Sequence, residues 1–408
     1  MKNVESGKTI TWVIFLVTLT AVIISLASAV FPALILSDSQ TVKELKSLGI
    51  PQVGPDRFEG GVWAGPIIAT SLVVFIIYFL YVQEKLPRSL SGIFKKIFSF
   101  EVSKKVSLGI IIVLLGIYII VSANELTTEE IWKDYQDVKD KAENRPVDSA
   151  FRSFDVPLKF FFLSSSILLF DNIRVIPFIA SISLLLLTYV ITAQISKKRF
   201  AGIVAMGVLL QSSLFLSYDT TATYENFWIL FYLISLYTIY RFWPLSPITY
   251  ILSTLAKPLT LVFLPMSVLF IVRSSLVKRK KILVLLGYLG TVIISIALVV
   301  SLGINVSGRS EDFKSQEFWM GFTSLAYQLR FDGLILLFLL PLIVGLFIAS
   351  RKNVKTAESV MILICGMLLV TPFLSGFTIE TNQPYRLVPL VVFFAIGVGT
   401  LLSKRQVE

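Results

Sequence analysis

Long apolar stretches recur along the whole chain and alternate with short polar segments. Most approach or exceed the roughly 20 residues that an α-helix needs to cross a membrane. The pattern predicts an all-α polytopic membrane protein of about twelve transmembrane helices. The predicted spans are residues 10–36, 66–83, 106–123, 173–193, 201–217, 224–241, 246–257, 258–273, 283–303, 333–350, 357–373 and 386–402.

One further apolar stretch, residues 157–170, is too short to cross a membrane alone. The polar residues Asp171, Asn172 and Arg174 follow it directly. Because backbone that ends within a bilayer must find internal partners, we expect an interfacial or re-entrant helix here.

The most acidic polar segment, residues 124–156, begins with the pattern of an amphipathic helix. Thr127 with Glu130 three positions later fits a capping box. Apolar residues then recur at helical spacing, at Ile131, Tyr135, Val138 and Ala142. Carboxylates follow a neighbouring stripe, at Glu130, Asp134 and Asp137. We expect a helix on the outer membrane surface, whose carboxylates form a solvated face, a general base or a divalent-metal site at Glu130 and Asp134.

Composition agrees with the membrane class and narrows the chemistry. The chain is 55% hydrophobic and 15% charged, whereas a soluble domain carries about 25% charged residues. It contains no histidine and one cysteine, Cys365, within an apolar run. Histidine bases and histidine metal ligands are therefore excluded, and a carboxylate is the natural base for activating a hydroxyl.

Charge is distributed unequally between the two sets of polar segments. The set that includes both termini holds 22 of the 37 Lys and Arg residues but five of the 26 Asp and Glu residues. Basic residues accumulate on the cytoplasmic side of membrane proteins. We therefore predict a multi-pass cell-membrane protein with both termini in the cytoplasm, and residues 124–156 and 304–332 as outer loops. The net charge of +11 reports topology here, and no nucleic-acid partner is expected.

The stretch STLAKPLTLVFLP places one charge, Lys257, inside an apolar run. Pro258 lacks an amide donor and disfavours a helical conformation for the residue before it, so a helix should end at this point. Lys257 would then lie near the outer interface, either snorkelling to headgroups or pairing with a phosphate. Arg174, Arg330 and Arg386 also lie at outer ends of predicted spans. Together these cations would suit a lipid phosphate or pyrophosphate.

The order of these features resembles the GT-C superfamily of membrane glycosyltransferases, above all its protein O-mannosyltransferase and aminoarabinose transferase branch. The resemblance runs from about Val106 to the C-terminus. Residues 1–105, an extra pair of spans with a basic cytoplasmic loop, lie outside it, and residues 106–408 form the GT-C-like region. The matching segments are TTEEIWKDY, FDVPLKFFF, IRVIPFIASISLLLLTYVITAQISKKRF, LFLSYDTTATYENFW, STLAKPLTLVFLP and QPYRLVPL.

The resemblance implies a GT-C-like fold and an inverting transfer of a sugar from a polyprenyl-phosphate donor to an acceptor hydroxyl of a protein or glycan. It implies catalytic roles for Glu129 and Glu130, supported by Asp155. The donor phosphate would be bound by Arg174, Lys257, Arg386 and Arg330. A divalent metal is compatible with the pattern but not required by it.

Two departures from the family pattern bear on the site. The family usually has aspartate where this chain has Glu129, and its proline segment is often Pro-Pro with a histidine. Glu125 therefore competes for the position of the base.

A second class of function remains open: a lipid or sugar transporter (flippase), or a non-catalytic membrane subunit with a GT-C-like fold. A transporter typically shows charges at mid-span or internal repeats. The sequence has no internal repeat, and its ionisable residues lie mostly near span ends.

Overall fold

The structure, a computed structural model, describes residues 2–31, 59–130, 135–144, 157–222, 225–274, 276–301, 312–352, 354–377 and 384–403. Its regular elements are helices throughout these ranges. The α-helices are α1 Lys2–Val30, α2 Ala64–Val82, α3 Arg88–Ser99, α4 Lys104–Ser122, α5 Tyr135–Asn144, α6 Pro157–Phe170, α7 Val175–Ser196, α8 Arg199–Leu210, α9 Ser213–Tyr218, α10 Glu225–Arg241, α11 Leu245–Ala256, α12 Leu264–Arg273, α13 Lys278–Ser301, α14 Ser315–Leu329, α15 Gly333–Arg351, α16 Lys355–Ser375 and α17 Val388–Leu401. Short 3₁₀ helices cover Ala123–Thr127, Pro258–Phe263 and Pro384–Leu387.

The all-α class is confirmed, and the long apolar helices agree with the predicted membrane protein. Within the described residues, six helical segments are long and apolar enough to cross a membrane. They are Thr9–Val30, Ala64–Val82, Lys104–Thr127, Val175–Ser196, Gly333–Arg351 and Thr356–Ser375. Five more apolar helices are shorter, between 10 and 17 residues.

The chain forms two compact units, each built from separate parts of the sequence. One comprises Met1–Phe100, Arg309–Leu390 and Arg405–Glu408. In it, α16 packs against α1, α14 and α15, and most of its length is buried. Rings stack between α1 and α15, where Phe15 and Phe347 lie with centroids 4.0 Å apart. The division predicted at residue 105 separates the part of the chain that resembles the glycosyltransferases from the part that does not. It stays a prediction.

The second unit comprises Glu101–Gly308 and Val391–Lys404 and contains the acidic segment. Its centre is formed by α7, α8, α10 and α11. Close helix packing depends on small residues there: a methyl group on Gly399 would lie 2.3 Å from Thr192 Cγ2 and 2.7 Å from the Ala201 carbonyl oxygen. The N-terminus of α8 is capped by the Glu101 carboxylate, which accepts the Arg199 amide at 3.0 Å.

The predicted break at Lys257 is confirmed. α11 ends at Ala256, Lys257 is extended with φ −157° and ψ 111°, and Pro258 opens a 3₁₀ helix. The stretch predicted as residues 258–273 is thus a 3₁₀ turn followed by α12.

The prediction of a loop at residues 304–332 is wrong for its second half. Residues 315–329 form α14, which packs against α1 and α16. Its buried residues recur at helical spacing, at Gly321, Phe322, Leu325, Ala326 and Leu329. Packing of this stripe, rather than hydropathy along the chain, stabilises the helix.

Two further segments refine the predicted spans. The span at residues 201–217 is interrupted, because α8 ends at Leu210 and Ser212 caps a separate short helix, α9. The helix predicted at residues 157–170 is confirmed as α6. Its N-terminal half is largely buried, whereas Leu168 and Leu169 near its end are exposed.

Candidate functional site

The acidic segment starts differently from its prediction. The predicted capping box is wrong: Thr127 ends a 3₁₀ helix and its hydroxyl donates to the Asn124 carbonyl, while Glu130 accepts a backbone amide from elsewhere. The helix itself begins later, and α5 runs from Tyr135 to Asn144. Tyr135 and Ala142 are buried on α5, which packs against α6, and Val138 is half-buried, so the predicted apolar stripe is confirmed for these three residues. Its first member, Ile131, lies outside the described residues.

Arg174 lies at the centre of the site, and its position is set by the turn after α6. Asp171 adopts a left-handed conformation (φ 52°) that ends α6. Asn172 then donates to the Leu126 carbonyl and accepts the Arg174 amide, at 2.7 and 2.8 Å. These bonds join the 3₁₀ helix of the acidic segment to the start of α7.

The guanidinium of Arg174 is buried and surrounded by acceptors. Its Nη1 donates to the Thr128 carbonyl and hydroxyl oxygens, at 2.7 and 3.1 Å. Its Nε and Nη2 donate to the carbonyl and hydroxyl oxygens of Thr220. Two carboxylates complete the shell: Glu125 Oε2 is 3.5 Å from Nη2, and Glu130 Oε1 is 3.8 Å from Nε. Arg174 therefore orients both acids.

The three glutamates of the segment lie in different environments. The Glu130 side chain is 2% exposed, and its Oε1 accepts the Ala222 amide at 2.8 Å. Burial raises the pKa of Glu130, and the Ala222 amide and the charges of Arg174 and Lys159 oppose that rise. Glu125 is 41% exposed and accepts the Thr220 hydroxyl at 2.8 Å. Glu129 is 82% exposed and pairs with Lys139 of α5 at 3.2 Å.

A fourth carboxylate, Asp219, lies deeper, next to Thr220 in the sequence. It is fully buried, and its Oδ2 accepts the Ser122 hydroxyl at 2.6 Å. Its carbonyl accepts Ser181 and Asn226, which anchors the segment between α9 and α10. Burial raises the pKa of Asp219 to about 6.

A cleft of about 270 Å³ opens beside the cluster. It is lined by polar and charged groups that the 3₁₀ helix, α5 and the turn after α6 contribute, including Thr128, Glu129, Tyr135, Lys139, Asp171 and Arg174. Glu129 thus faces an open space, whereas Glu130 is held behind it. The accessible carboxylate of Glu129 thus lies beside Glu130 and Arg174, whose contacts hold the surrounding backbone in place.

Lys257 is also buried in this unit. Its ammonium lies 5.8 Å from the centre of the Trp228 ring, in cation–π range. Trp228 belongs to the first turn of α10, just beyond the segment that holds Asp219 and Ala222. A lysine that snorkels to headgroups keeps its charge in water, so this burial favours an inward role.

The remaining predicted residues are distributed as follows. Arg330 and Arg386 belong to the other unit, where Arg330 donates to the Ser28 carbonyl at 3.5 Å and Arg386 lies over the Tyr385 ring. Their assembly with Arg174 and Lys257 around one phosphate stays a prediction. Asp155 and Asp134 lie outside the described residues. In the described part of the chain, no group of three or more Cys, Asp or Glu side chains is placed to hold a metal ion.

Three groups were missed by sequence reasoning. Asp219 lies in the YDTT segment, which the sequence analysis matched to a family motif without giving this acid a role. Lys159 interrupts the apolar run of α6, is 3% exposed, and its charge acts on Glu130. Thr220 bridges Glu125 and Arg174. A charge inside an apolar run was the signal that identified Lys257, and it applies equally to Lys159.

Neither a protein-family model, a curated protein nor a solved structure matches this chain.

Proposed function

We propose that this chain is a membrane glycosyltransferase that moves a sugar from a polyprenyl-phosphate donor to an acceptor hydroxyl at the outer surface of the cell membrane. One observation carries the proposal. Glu129 faces a polar cleft, while Glu130 and Glu125 are anchored behind it by a buried arginine. The proposed fold family rests on the GT-C resemblance of residues 106–408. The proposed side rests on the positive-inside charge bias, which predicts cytoplasmic termini.

The two adjacent acids, Glu129 and Glu130, have different roles. Glu129 is the base: it is accessible, so an acceptor hydroxyl in the cleft reaches it and transfers its proton as the oxygen attacks the anomeric carbon. Glu130 is a positioning residue, because it accepts a hydrogen bond from the Ala222 amide and forms an ion pair with Arg174, which hold the backbone next to Glu129. Asp155 supports the base in this proposal.

The leaving group is a lipid phosphate, whose negative charge grows as the glycosidic bond breaks. Cations held in a site that excludes water stabilise such charge efficiently. Lys257 is the strongest candidate, since it is buried and its backbone is set by the break at Pro258. Arg174 lines the cleft but already has six protein acceptors near it, so its contribution to phosphate binding is secondary to holding the acids.

Turnover by the purified protein tests the proposal. The protein is incubated with a panel of radiolabelled polyprenyl-phosphate sugars, and the release of polyprenyl phosphate is measured. Glu129→Gln should lower turnover by about 10²–10⁴-fold, the usual contribution of a general base, while donor affinity is retained. Glu143→Gln is the matched control, because Glu143 also lines the cleft and carries no assigned role.

Lys257 gives a separate arm of the experiment. Lys257→Met should weaken binding of a polyprenyl-phosphate analogue by roughly 10- to 100-fold, corresponding to one lost charged hydrogen bond. No release of polyprenyl phosphate by the wild type with any donor of the panel would contradict the enzyme proposal. Normal turnover in Glu129→Gln would contradict the assignment of the base, and unchanged affinity in Lys257→Met would contradict the assignment of the phosphate site. Transport of a labelled lipid across vesicles by a protein that lacks turnover would instead identify a flippase.

A further inference from the structure

The segment between α2 and α4 contains a helix that packs only lightly, with the Phe94 ring edge-on to Tyr81 of α2, their centroids 6.0 Å apart. α3, Arg88–Ser99, follows Pro87, and none of its side chains is buried by the described part of the chain. Its apolar residues are nevertheless large. Leu90, Ile93, Ile97 and Phe98 are between 38% and 53% exposed.

The two faces of α3 are sharply separated. At about 100° of rotation per residue, its apolar side chains fall within an arc of roughly 140°. Arg88, Lys95 and Lys96 lie on the opposite arc, with serines and Gly92. A largely exposed apolar face beside a basic face is typical of a helix that lies in a membrane interface.

Charge extends beyond the helix itself. Residues 83–105 contain six basic residues and two acidic ones. Each of the six is exposed, namely Lys85, Arg88, Lys95, Lys96, Lys104 and Lys105. Such a cluster complements anionic lipid headgroups, and each Lys or Arg near an anionic surface strengthens binding by about fivefold.

The chain also holds α3 close to a bilayer. α2 ends at Val82 and α4 begins at Lys104, and both are long and apolar enough to cross a membrane. At about 3.5 Å per residue, the linker of residues 83–87 reaches roughly 18 Å and that of residues 100–103 roughly 14 Å. The end of α2 is itself turned sharply, because Glu84 is left-handed (φ 56°) and the Lys85 amide bonds the Leu80 carbonyl.

We propose that α3 is an anionic-lipid binding element, which lies in the headgroup region with Leu90, Ile93, Ile97 and Phe98 inserted and its lysines on lipid phosphates. The partner is the surface of the same bilayer that α2 and α4 cross. This inference is independent of the transferase proposal, since it involves no residue of the cleft.

Cysteine-directed fluorescence on the full chain in nanodiscs tests the inference. Cys365 is buried, so an introduced cysteine is the accessible one. A polarity-sensitive label is placed on the apolar face in Ile93→Cys or on the polar face in Ser89→Cys. Quenching by lipids brominated on their acyl chains reports insertion. With about 30% phosphatidylglycerol in the disc, the label at residue 93 should be quenched and the label at residue 89 should not.

The charge dependence has its own control. Lys95→Gln with Lys96→Gln should lower the ratio of inserted to exposed label by about 25-fold, that is, about fivefold for each lysine. Lys278→Gln with Lys280→Gln, which removes two exposed lysines of α13, should leave the ratio unchanged. Equal quenching at residues 89 and 93, or insertion that ignores lipid charge, would overturn the proposal. Label burial that depends on protein concentration in detergent would assign the face to a second copy and also overturn it.

Discussion

At the scale of single residues, Arg174 organises the candidate site. It is the buried cation between Glu125, Glu130 and the carbonyls of Thr128 and Thr220. Sequence reasoning assigned it to a lipid phosphate, and the structure shows why it is needed without one. A buried carboxylate requires a compensating charge, and Arg174 supplies it to Glu130.

Removing Arg174 alone should therefore destabilise the protein more than removing the charges of both Arg174 and Glu130. Arg174→Met leaves Glu130 buried without its ion-pair partner, which should lower the free energy of unfolding by about 3–5 kcal/mol. Glu130→Gln added to Arg174→Met removes the uncompensated charge and should recover part of that loss. Unfolding in detergent, followed by circular dichroism, measures both. A double variant no more stable than the single one would show that Arg174 acts mainly through its bonds to Thr128 and Thr220.

Asp219 should make stability depend on pH. Its pKa is raised by burial from 3.8 to about 6 in the folded protein, so the fold favours its protonated form. Its stabilising contribution is complete below about pH 4 and is lost as the pH rises through 6. Asp219→Asn should thus unfold at a higher temperature than the wild type at pH 7, with the difference shrinking toward pH 4. Asp137→Asn, an exposed acid on α5, is the control and should show no such trend.

At the scale of elements, close helix contacts hold the second unit together. α7 and α8 approach so closely at Gly202 that an added methyl group would lie 2.6 Å from the Tyr189 carbonyl oxygen. Backbone atoms cannot move aside as a flexible side chain can. The contact also fixes α7, whose N-terminus carries Arg174 into the site.

Gly202→Ala should destabilise the protein despite the better helix propensity of alanine. Overpacking typically costs 1–3 kcal/mol, whereas alanine in place of a helical glycine contributes about 0.5–1 kcal/mol. Gly207→Ala is the matched control on the same helix, because nothing lies within 4 Å of its added methyl group. The two variants should change the melting temperature in opposite directions, and a stabilised Gly202→Ala would contradict the close contact.

At the scale of the whole molecule, orientation in the membrane decides what the cleft can meet. The charge bias along the sequence predicts that residues 124–156 lie outside, where a lipid-linked sugar and a secreted acceptor would be available. The transferase proposal depends on that side. Asp140 on α5 and Lys280 on α13 are exposed and belong to segments predicted on opposite sides.

Single-cysteine labelling in intact cells tests the orientation. Asp140→Cys should react with an impermeant thiol reagent added outside, and Lys280→Cys should react only after the cells are opened. Cys365 is buried and supplies little background. Protection of position 140 with labelling of position 280 would reverse the topology and remove the outer-surface proposal.

The sequence by itself determined the membrane class, the helix break at Lys257 and the apolar stripe of α5. These follow from hydropathy, proline stereochemistry and helical periodicity, which act over a few consecutive residues. The apolar periodicity of α14 is also present in the sequence, but the charged residues around it favoured a loop. That helix is stable only when its apolar stripe is packed against other helices.

Only the tertiary structure decided which polar groups meet. Glu125, Glu130, Arg174 and Thr220 come from three parts of the chain up to 95 residues apart, and no local pattern pairs them. The same holds for the capping box, where the Ala222 amide replaced the expected local partner of Glu130. Burial, set by packing across these segments, separated the accessible Glu129 from the buried Glu130 although the two are adjacent in sequence.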